Sequence, residues 1–251
     1  MILRYTETGL LIIFPHDDPG SIVDAMLETD YCEEFCVSPD FSPDFIARLM
    51  DAGFLIMSAG LDTTGDTEES RNTQEPQLQN SFPKMFILLP KLHLSRSVLF
   101  FDNLHVKRSV NHLLGEFDLR YDSDFDAIVN RCLEIHGEDW LTPPLVSAIR
   151  DIRQSKLYGV YPVSFALYRD DKLVAGEFGV QVGRVYTSYS GYYDENNAGT
   201  VQLILAARYL QDHDFAFFDL GMPLDYKTDL GAVNISPEEF VRLFRNAQPV
   251  Q

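Results

Sequence analysis

The spacing of hydrophobic residues in the first fifty residues predicts a short hairpin followed by two helices. Residues 3–14 alternate as in a strand or hairpin, with Gly9 at the turn. A helical pattern with acidic turns follows at 19–35. A second helix is predicted from 42 to 53, where a capping serine precedes a proline and a glycine ends the pattern.

A polar, acidic segment interrupts this pattern. Residues 60–81 contain almost no large apolar side chain, which predicts a loop or a mobile insertion. We take it as the boundary between two domains. A small N-terminal α+β domain is predicted at 1–81, and the main domain at 82–251.

The main domain alternates between strand and helix patterns. A strand at 85–89 is followed by a helix from Ser95 or Ser97 to 104 and by two further helices at 122–136 and 142–152. A three-stranded meander at 163–193, a helix at 200–211 and a last strand at 216–218 follow. Strands and helices in this order predict an α+β fold.

Asp219 follows the last predicted strand and is the first candidate for chemistry. An acidic residue where a buried aromatic strand ends can reach a cleft. The alternative is structural, because an aspartate before Gly221 and Pro223 commonly caps the backbone two residues further on.

Composition narrows the class of protein. The chain has 251 residues, 45% of them hydrophobic, which is enough for one sizeable core. No apolar run approaches the roughly 20 residues that span a bilayer. Three cysteines without a paired framework fit a reducing compartment, and the histidines have no metal-ligand spacing. We therefore predict a cytoplasmic monomer with no membrane segment, no metal and no bound cofactor.

The net charge of −18 argues against extensive contact with nucleic acid, because phosphates are bound by lysine and arginine. The segment 84–109 is an exception, with 5 basic residues and 1 acidic residue. It contains Lys91, His93 and Arg96. A solvated surface would give the same pattern, so the signal alone leaves both interpretations open.

Six phrases, in order along the chain, resemble the leucyl/phenylalanyl-tRNA protein transferase family: DFSPDFIARLMDAGF (40–54), LHLSRS (92–97), DWLTPPLVSAI (139–149), LVAGEFGVQVG (173–183), ENNAGTVQLILAARYL (195–210) and FFDLGMPLDYKTDLGAVNI (217–235). The resemblance implies an acetyltransferase-like (GNAT-type) C-terminal domain. It also implies transfer of Leu or Phe from charged tRNA, the co-substrate, to the N-terminal Arg or Lys of a protein, in N-degron protein degradation.

The resemblance carries over to individual residues. Asp219 corresponds to the aspartate of the family's Asp-Cys-Gln motif, which implies that it holds or deprotonates the incoming amine. Several positions depart from the family, Gly199 and Thr200 among them, and three bear directly on the expected chemistry. Gly221 stands at the glutamine of that motif, Tyr189 at an acidic residue, and Met57 at a tryptophan that stacks on the aminoacyl adenosine.

The remaining matched residues complete the predicted site. Trp140, Ser190 and Asn197 are expected to shape the aminoacyl site together with Tyr189 and Gly221. Lys91, His93 and Arg96 are expected to meet the tRNA end. Three of these residues have a structural alternative: an ion pair for Arg96, a structural histidine for His93 and simple packing for Trp140.

Two classes of function stay open. The first is an aminoacyl-tRNA protein transferase, in which an α-amine attacks an ester carbonyl without a covalent enzyme intermediate. The second is a relative that kept the fold and became a binding or regulatory protein, which the three departures and the net charge favour. An acetyl-CoA acyltransferase ranks last, because residues 194–200 contain one glycine where a pyrophosphate loop needs several.

Overall fold

The computed structural model describes residues 3–29, 31–61 and 84–249. The N-terminal elements are short. They are β1 (Arg4–Tyr5), β2 (Leu11–Ile12), α1 (Pro19–Glu28), β3 (Cys36–Val37), α2 (Pro43–Asp51) and β4 (Leu55–Leu61). The predicted hairpin is confirmed, since β1 pairs antiparallel with β2 and Gly9 lies in the turn with a φ of +88°.

The later elements are longer and contain the meander. They are β5 (Met85–Lys91), β6 (Arg96–Leu99), α3 (Arg108–Asn111), β7 (Asp118–Tyr121), α4 (Phe125–His136), α5 (Pro143–Ser155), β8 (Val160–Arg169), β9 (Lys172–Val182), β10 (Val185–Tyr193), α6 (Ala198–Asp212), β11 (Phe217–Gly221), α7 (Asp225–Asp229), β12 (Val233–Ile235) and α8 (Pro237–Asn246). The mixed α+β prediction is therefore confirmed.

A seven-stranded sheet organises the protein, in the order β12-β6-β11-β10-β9-β8-β7. Its strands pair antiparallel except for β10 and β11, which are parallel. The parallel pairing ends at Thr187 and Asp219. Beyond this point β10 continues to Tyr193 along β9 only, within the part of the chain that the structure describes. The two strands therefore part where Asp219 lies.

Two apolar cores cover the two faces of this sheet. On one face α6 contributes Val201 and Ile204, which pack with Phe218 of β11. On the other face α4 and α8 contribute Ile128 and Phe240, which belong to a larger core shared with the N-terminal elements. Alternate residues of one strand therefore enter different cores.

The predicted acidic loop and domain boundary fall largely on 62–83, outside the described residues, so the division into 1–81 and 82–251 stays a prediction. Strands from the two sides of this gap pair with each other, because β4 and β5 form a two-stranded antiparallel sheet. β3, from the small β1-β2-β3 sheet, lies beside β5.

One predicted helix is wrong. The segment beginning at Ser95 or Ser97 forms strand β6, between β11 and β12, and a short 3-10 turn at Phe101–Asn103. All four residues of β6 are buried, including Arg96 and Ser97. Because arginine and serine are polar, the sequence pattern of this buried strand resembled the capped start of a helix.

Two element boundaries also differ. The helical pattern at 19–35 ends at Glu28, where the Thr29 hydroxyl and amide both donate to the Ala25 carbonyl and close the last turn. The strand predicted at 216–218 is β11 and runs on to Gly221, so Asp219 lies inside this strand rather than after it. No helix in the described ranges is long and apolar enough to cross a membrane.

Candidate active site

Asp219 is fully buried in β11 and forms an ion pair with Arg96 of β6. The guanidinium meets the carboxylate with two bonds, Nε to Oδ1 at 2.9 Å and Nη2 to Oδ2 at 2.5 Å. Relative exposure is 0% for Asp219 and 1% for Arg96. The ion pair that the sequence left as the alternative for Arg96 is therefore the contact observed.

Two further donors complete the contacts of the Asp219 carboxylate. The Thr187 hydroxyl donates to Oδ2 at 2.8 Å, and the Gly221 amide donates to Oδ1 at 3.0 Å. The second bond is the backbone cap that the sequence predicted as the structural role of Asp219. An ionised carboxylate offers about four lone-pair positions, and four donors already occupy them.

Arg96 connects three parts of the molecule at this point. Its Nη1 donates to the Gly53 carbonyl at 3.3 Å, after the end of α2. Its guanidinium carbon lies 3.9 Å from the centre of the Phe240 ring of α8. A buried charge needs such partners, because removing it from water is costly unless the charged group is paired and hydrogen-bonded.

Gly221 lies beside the ring of His93. Its φ of +72° suits glycine, and a Cβ there would lie 3.5 Å from Leu55 and 3.8 Å from His93 Nε2. His93 Nε2 and Ser97 Oγ are buried and have no hydrogen-bond partner among the described residues. One apolar side chain, Leu55, and the unpaired ring nitrogen of His93 therefore border Gly221.

His93 is a neutral imidazole at physiological pH. Burial, helped by the charges of Arg96, Lys91 and Lys227, lowers its pKa from 6.5 to about 2. Its Nδ1 lies 3.8 Å from Glu34 Oε1. A neutral ring can donate or accept a hydrogen bond, but it carries no charge for a phosphate.

This pKa gives a test by pH-dependent unfolding. Below pH 6.5 His93 becomes protonated in the unfolded chain but stays neutral in the folded protein. The free energy of unfolding of the wild type therefore decreases as the pH falls, by at most about 1.4 kcal/mol per pH unit. A His93→Gln variant lacks this contribution. We expect the stability difference between wild type and variant to shrink from pH 7.5 to pH 5 in urea titrations.

Glu177 of β9, whose pKa is also raised by burial, is present in both proteins. Its contribution to the pH dependence of stability therefore cancels in the difference. Parallel stability curves across that range would contradict a neutral, buried His93.

Lys91 lies close to His93 and is also paired. Its Nζ is 2.8 Å from Glu34 Oε2 and 4.7 Å from the centre of the Phe35 ring, and the residue is 8% exposed. The structure therefore brings Lys91, His93 and Arg96 into one cluster, with both cations neutralised by carboxylates. Their contact with tRNA is not tested by this arrangement and stays a prediction.

Tyr189 and Trp140 lie together on the Asp219 face of the sheet. Their rings are 6.5 Å apart, and Phe178 lies 6.1 Å from Tyr189. The Ile56 amide donates to the Tyr189 hydroxyl at 3.1 Å. The adjacent cavity, lined by residues that include Thr187 and Tyr189, has a volume of about 10 Å³, close to the space for one water molecule.

Ser190 and Asn197 lie further along the chain from Asp219. Ser190 follows a register shift in β10 and is half-buried. Burial raises the pKa of the Cys132 thiol to about 12, and a hydrogen bond with Ser190 partly offsets this rise. Asn197 is exposed, with a φ of +66°, directly before α6, and its side chain makes no capping bond. No hydrogen bond or ion pair joins Asn197 to Asp219 or its partners among the described residues.

Sequence reasoning missed three residues near this site. Thr187 contacts Asp219 directly. Glu177 in β9 is 2% exposed, and burial raises its pKa to about 7. Lys227 donates to the carbonyls of Leu220 and Met222 at 2.5 and 2.8 Å, and burial lowers its pKa to about 8. A glutamate inside the apolar run LVAGEFGVQV was the available signal for Glu177.

The family model described as leucyl/phenylalanyl-tRNA protein transferase matches residues 98–245, more than half of the chain. The chain belongs to this family. The matched segment contains Asp219, Gly221, Tyr189 and Trp140, whereas Lys91, His93 and Arg96 precede it. No group of three or more His, Cys, Asp or Glu able to hold a metal occurs in the described part of this family member.

Individual members of the transferase family are similar over the same region. The leucyl/phenylalanyl-tRNA protein transferase of Pseudomonas aeruginosa (strain LESB58) is 31% identical over 150 residues, 58% of this chain and 65% of that protein. The Maridesulfovibrio salexigens protein of the same name is 28% identical over 158 residues, 61% and 65% of the two chains. The match thus spans just under two thirds of these relatives.

A solved structure titled as L-PGS from Bacillus licheniformis can be superposed on this transferase-family chain with a TM-score of 0.43 and 9% identity. The superposition covers 99% of this chain and 89% of that one. A likeness at this level decides neither fold nor function.

Proposed function

We propose that the protein transfers a leucyl or phenylalanyl group from charged tRNA to the N-terminal α-amine of an acceptor protein. The observation that carries the proposal is the family match over residues 98–245, which include β11 and Asp219. Family relatives are named for a transferase that uses leucyl- or phenylalanyl-tRNA and a protein. The charged tRNA is a co-substrate, and no other cofactor is part of the proposal.

A GNAT-type fold for the main domain is part of the same proposal. It is supported by the strand order of the seven-stranded sheet and by the parallel pair in that sheet, β10 and β11, which separate after Thr187. Diverging parallel strands leave backbone groups and side chains of both strands open to a ligand. That opening is a suitable place for an ester carbonyl and an amine to meet.

The reaction needs positioning more than a strong base. An α-amine with a pKa of about 7.7–8.0 is partly unprotonated at neutral pH. It attacks the ester carbonyl, forms a tetrahedral oxyanion and expels a ribose hydroxyl. Fixed geometry and donors aimed at the oxyanion then supply most of the acceleration.

Asp219 acts as a positioning residue in this proposal. Its four acceptor positions already receive bonds from Arg96, Thr187 and Gly221, so it has no free lone pair for an incoming ammonium. By bonding the Gly221 amide it fixes the backbone at the end of β11. This keeps the Gly221 backbone in one position beside His93.

The aminoacyl side chain would lie among Trp140, Tyr189 and Ser190, with Asn197 at the start of α6. The present cavity of about 10 Å³ is too small for a leucyl or phenylalanyl side chain. Tyr189 is held there by a hydrogen bond of 3.1 Å from the Ile56 amide. Breaking this bond and rotating Tyr189 would enlarge the cavity on the side of Trp140.

The cluster of Lys91, His93 and Arg96 is proposed to face the tRNA acceptor end. Lys91 is the member best suited to a phosphate, because it would need only to exchange its Glu34 carboxylate for one. A basic N-terminal residue on the acceptor, a role in N-degron degradation, a cytoplasmic location and a monomeric state complete the proposal. These rest on the family and on the composition.

Initial rates of labelled Leu or Phe transfer test the proposal. Charged tRNA is incubated at low salt with peptides that begin with Arg, Lys or Glu. We expect transfer to the two basic peptides. A Thr187→Val variant, which removes one bond to Asp219 while keeping the side-chain shape, should lower kcat about tenfold and leave the protein folded.

Transfer to the Glu peptide alone would show that acceptor specificity has changed. No transfer to any peptide, with folded protein and intact charged tRNA, would contradict the proposal.

That negative result would favour a second candidate, a binding or regulatory relative without catalysis. The specific observations behind it are the full engagement of the Asp219 carboxylate and the small cavity beside Tyr189. Such a protein would still bind charged tRNA or an acceptor N-terminus. Its binding would leave the aminoacyl ester intact.

A further inference from the structure

Lys227 of α7 is a buried lysine whose ammonium group binds the backbone at the end of β11. Its Nζ donates to the Leu220 carbonyl at 2.5 Å and to the Met222 carbonyl at 2.8 Å. The residue is 7% exposed. Lysine is rarely buried unless it is paired. In the part of the chain that the structure describes, the bonded partners of this ammonium are two carbonyl oxygens rather than a carboxylate.

The Leu220 carbonyl depends on this bond, because none of the described strands pairs with Leu220. Between β11 and β10, the last pair is Asp219 with Thr187. Between β11 and β6, a register shift from Asp219 to Gly221 passes over Leu220. Leu220 is 3% exposed, and a buried carbonyl without a donor is unfavourable. Lys227 therefore replaces a neighbouring strand as the donor at this position.

Two opposite charges fix the three residues 220–222. The Asp219 carboxylate accepts from the Gly221 amide at 3.0 Å, and the Lys227 ammonium binds the carbonyls on either side of Gly221. Gly221 has a φ of +72°, so the chain turns at this residue. The direction in which the chain leaves β11 is therefore set by side chains rather than by pairing with β10.

The backbone of Lys227 is itself anchored, which lets its side chain support the segment 220–222. The Lys227 amide donates to the Leu224 carbonyl at 3.0 Å. Its carbonyl accepts from the Ala232 amide at 3.0 Å and from the Leu230 amide at 3.1 Å. These bonds tie α7 to the residues before and after it.

The segment 220–222 borders the opening in which we propose that the ester and the amine meet. It directly follows Asp219, the last residue of β11 that pairs with β10. Its middle residue, Gly221, also lies beside His93. A shift of this segment would therefore change the β11 side of the opening.

We propose that Lys227 is a positioning residue for acyl transfer, whose ammonium group holds the segment 220–222 in the reactive arrangement. This inference rests on the proposed transferase function. Hydrogen bonds from a charged donor are roughly twice as strong as bonds between neutral groups. Loss of the charge should therefore loosen the segment and lower kcat, because small displacements of a reacting centre are costly.

The charged and titratable groups near Lys227 come from four parts of the fold. They are Asp219 of β11, Glu177 of β9, His93 before β6, and Tyr226 of α7, whose ring centre is 5.7 Å from Nζ. Burial lowers the pKa of Lys227 to about 8, against the two carboxyl groups, which raise it. His93 is neutral, and burial raises the pKa of Tyr226. Glu177, with a pKa of about 7, is largely ionised before Lys227 loses its proton.

The pH dependence of transfer tests the proposal. Initial rates of Phe transfer to a peptide beginning with Arg are measured from pH 6.5 to pH 9, and ester loss without protein is subtracted. The wild-type rate should fall above about pH 8, when Lys227 becomes neutral. Lys227→Met should have a kcat about tenfold lower at pH 7, and no fall above pH 8. Lys227→Arg stays charged, so its rate should not fall above pH 8 either.

The matched control is Lys172→Met, the same change at an exposed residue of β9. It should keep the wild-type rate and pH profile. A wild-type rate in Lys227→Met, or a fall above pH 8 in both Lys227 variants, would overturn the proposal.

Urea unfolding distinguishes a loosened segment from an unfolded protein. Because burial lowers the pKa of Lys227 from 10.5, the unfolded chain holds this proton to a higher pH than the folded protein. The free energy of unfolding of the wild type should therefore rise relative to that of Lys227→Met between pH 8 and pH 10. A fall in the wild-type transfer rate over the same range then reports on the segment and not on unfolding.

Hydrogen exchange of the Gly221 amide separates this inference from the proposed function, because it needs no substrate. At pH 6.5 we expect exchange about tenfold faster in Lys227→Met than in the wild type, and at pH 9 similar rates. Equal exchange at pH 6.5 would overturn the role of Lys227, whatever the transfer result. Faster exchange in the variant, with no transfer by the wild type, would support the hold on the segment and contradict the transferase.

Discussion

Replacing Asp219 by asparagine should lower the free energy of unfolding by about 3–5 kcal/mol. The substitution leaves Arg96, 1% exposed, as an uncompensated buried cation. It also places an amide where two guanidinium bonds now meet carboxylate oxygens. Breaking one partner of a buried pair costs far more than the pair itself contributes. Urea unfolding followed by circular dichroism measures the loss.

The matched control is an ion pair at the surface. Lys107 and Asp229 lie 2.6 Å apart, but their side chains are 55% and 62% exposed. Asp229→Asn should therefore leave the unfolding midpoint almost unchanged. A double variant with apolar residues at 96 and 219 should recover much of the stability lost by Asp219→Asn. Similar midpoints for Asp219→Asn and Asp229→Asn would contradict the buried pair.

Replacing Gly231 by alanine should cost about 2–5 kcal/mol of stability, for two separate reasons. Its φ of +104° is unfavourable for a residue with a side chain. A Cβ at this position would also lie 2.0 Å from the Asn103 carbonyl oxygen, so the backbone must move. That backbone is held nearby by the His105 amide, which donates to the Leu230 carbonyl at 2.8 Å. Urea unfolding again gives the cost.

Gly9 separates the two causes. Its φ is +88°, but nothing lies within 4 Å of a Cβ built there. Gly9→Ala should therefore show only the conformational penalty, about 1–2 kcal/mol. Equal losses for the two alanine variants would mean that the contact with Asn103 has no effect.

Gly231 also explains part of the family resemblance. It lies in the phrase DLGAV, which resembles the family, and yet its requirement is a close backbone approach. Matching phrases can therefore record packing as well as chemistry. Asp219, in the same stretch, also makes structural contacts, because it caps the Gly221 amide and anchors Arg96.

Local patterns predicted most of the elements because each depends on nearby residues. The hairpin at Gly9, the helix from Ser42 and the meander in 163–193 follow from spacing, capping and turn residues. Strand β6 could not be predicted in this way. Its first two residues, Arg96 and Ser97, look solvent-exposed in sequence, and only the partner strands β11 and β12 make them buried.

The contacts of the candidate site were also beyond local reasoning. Arg96 and Asp219 are separated by 123 positions, and no spacing rule joins them. Glu177 and Gln202 come together only because α6 packs on the face of β9 to which Glu177 points. The sequence indicated which side chains could do chemistry, whereas the sheet determined which of them meet.

The most direct test of the central claim is the mass of the acceptor after reaction. A peptide beginning with arginine is incubated with the protein and phenylalanyl-tRNA, and the product is analysed by mass spectrometry with fragmentation. We predict one phenylalanyl residue joined by an amide bond to the α-nitrogen of the arginine. An unchanged peptide, with the protein folded and the aminoacyl ester still intact, would contradict the transferase account.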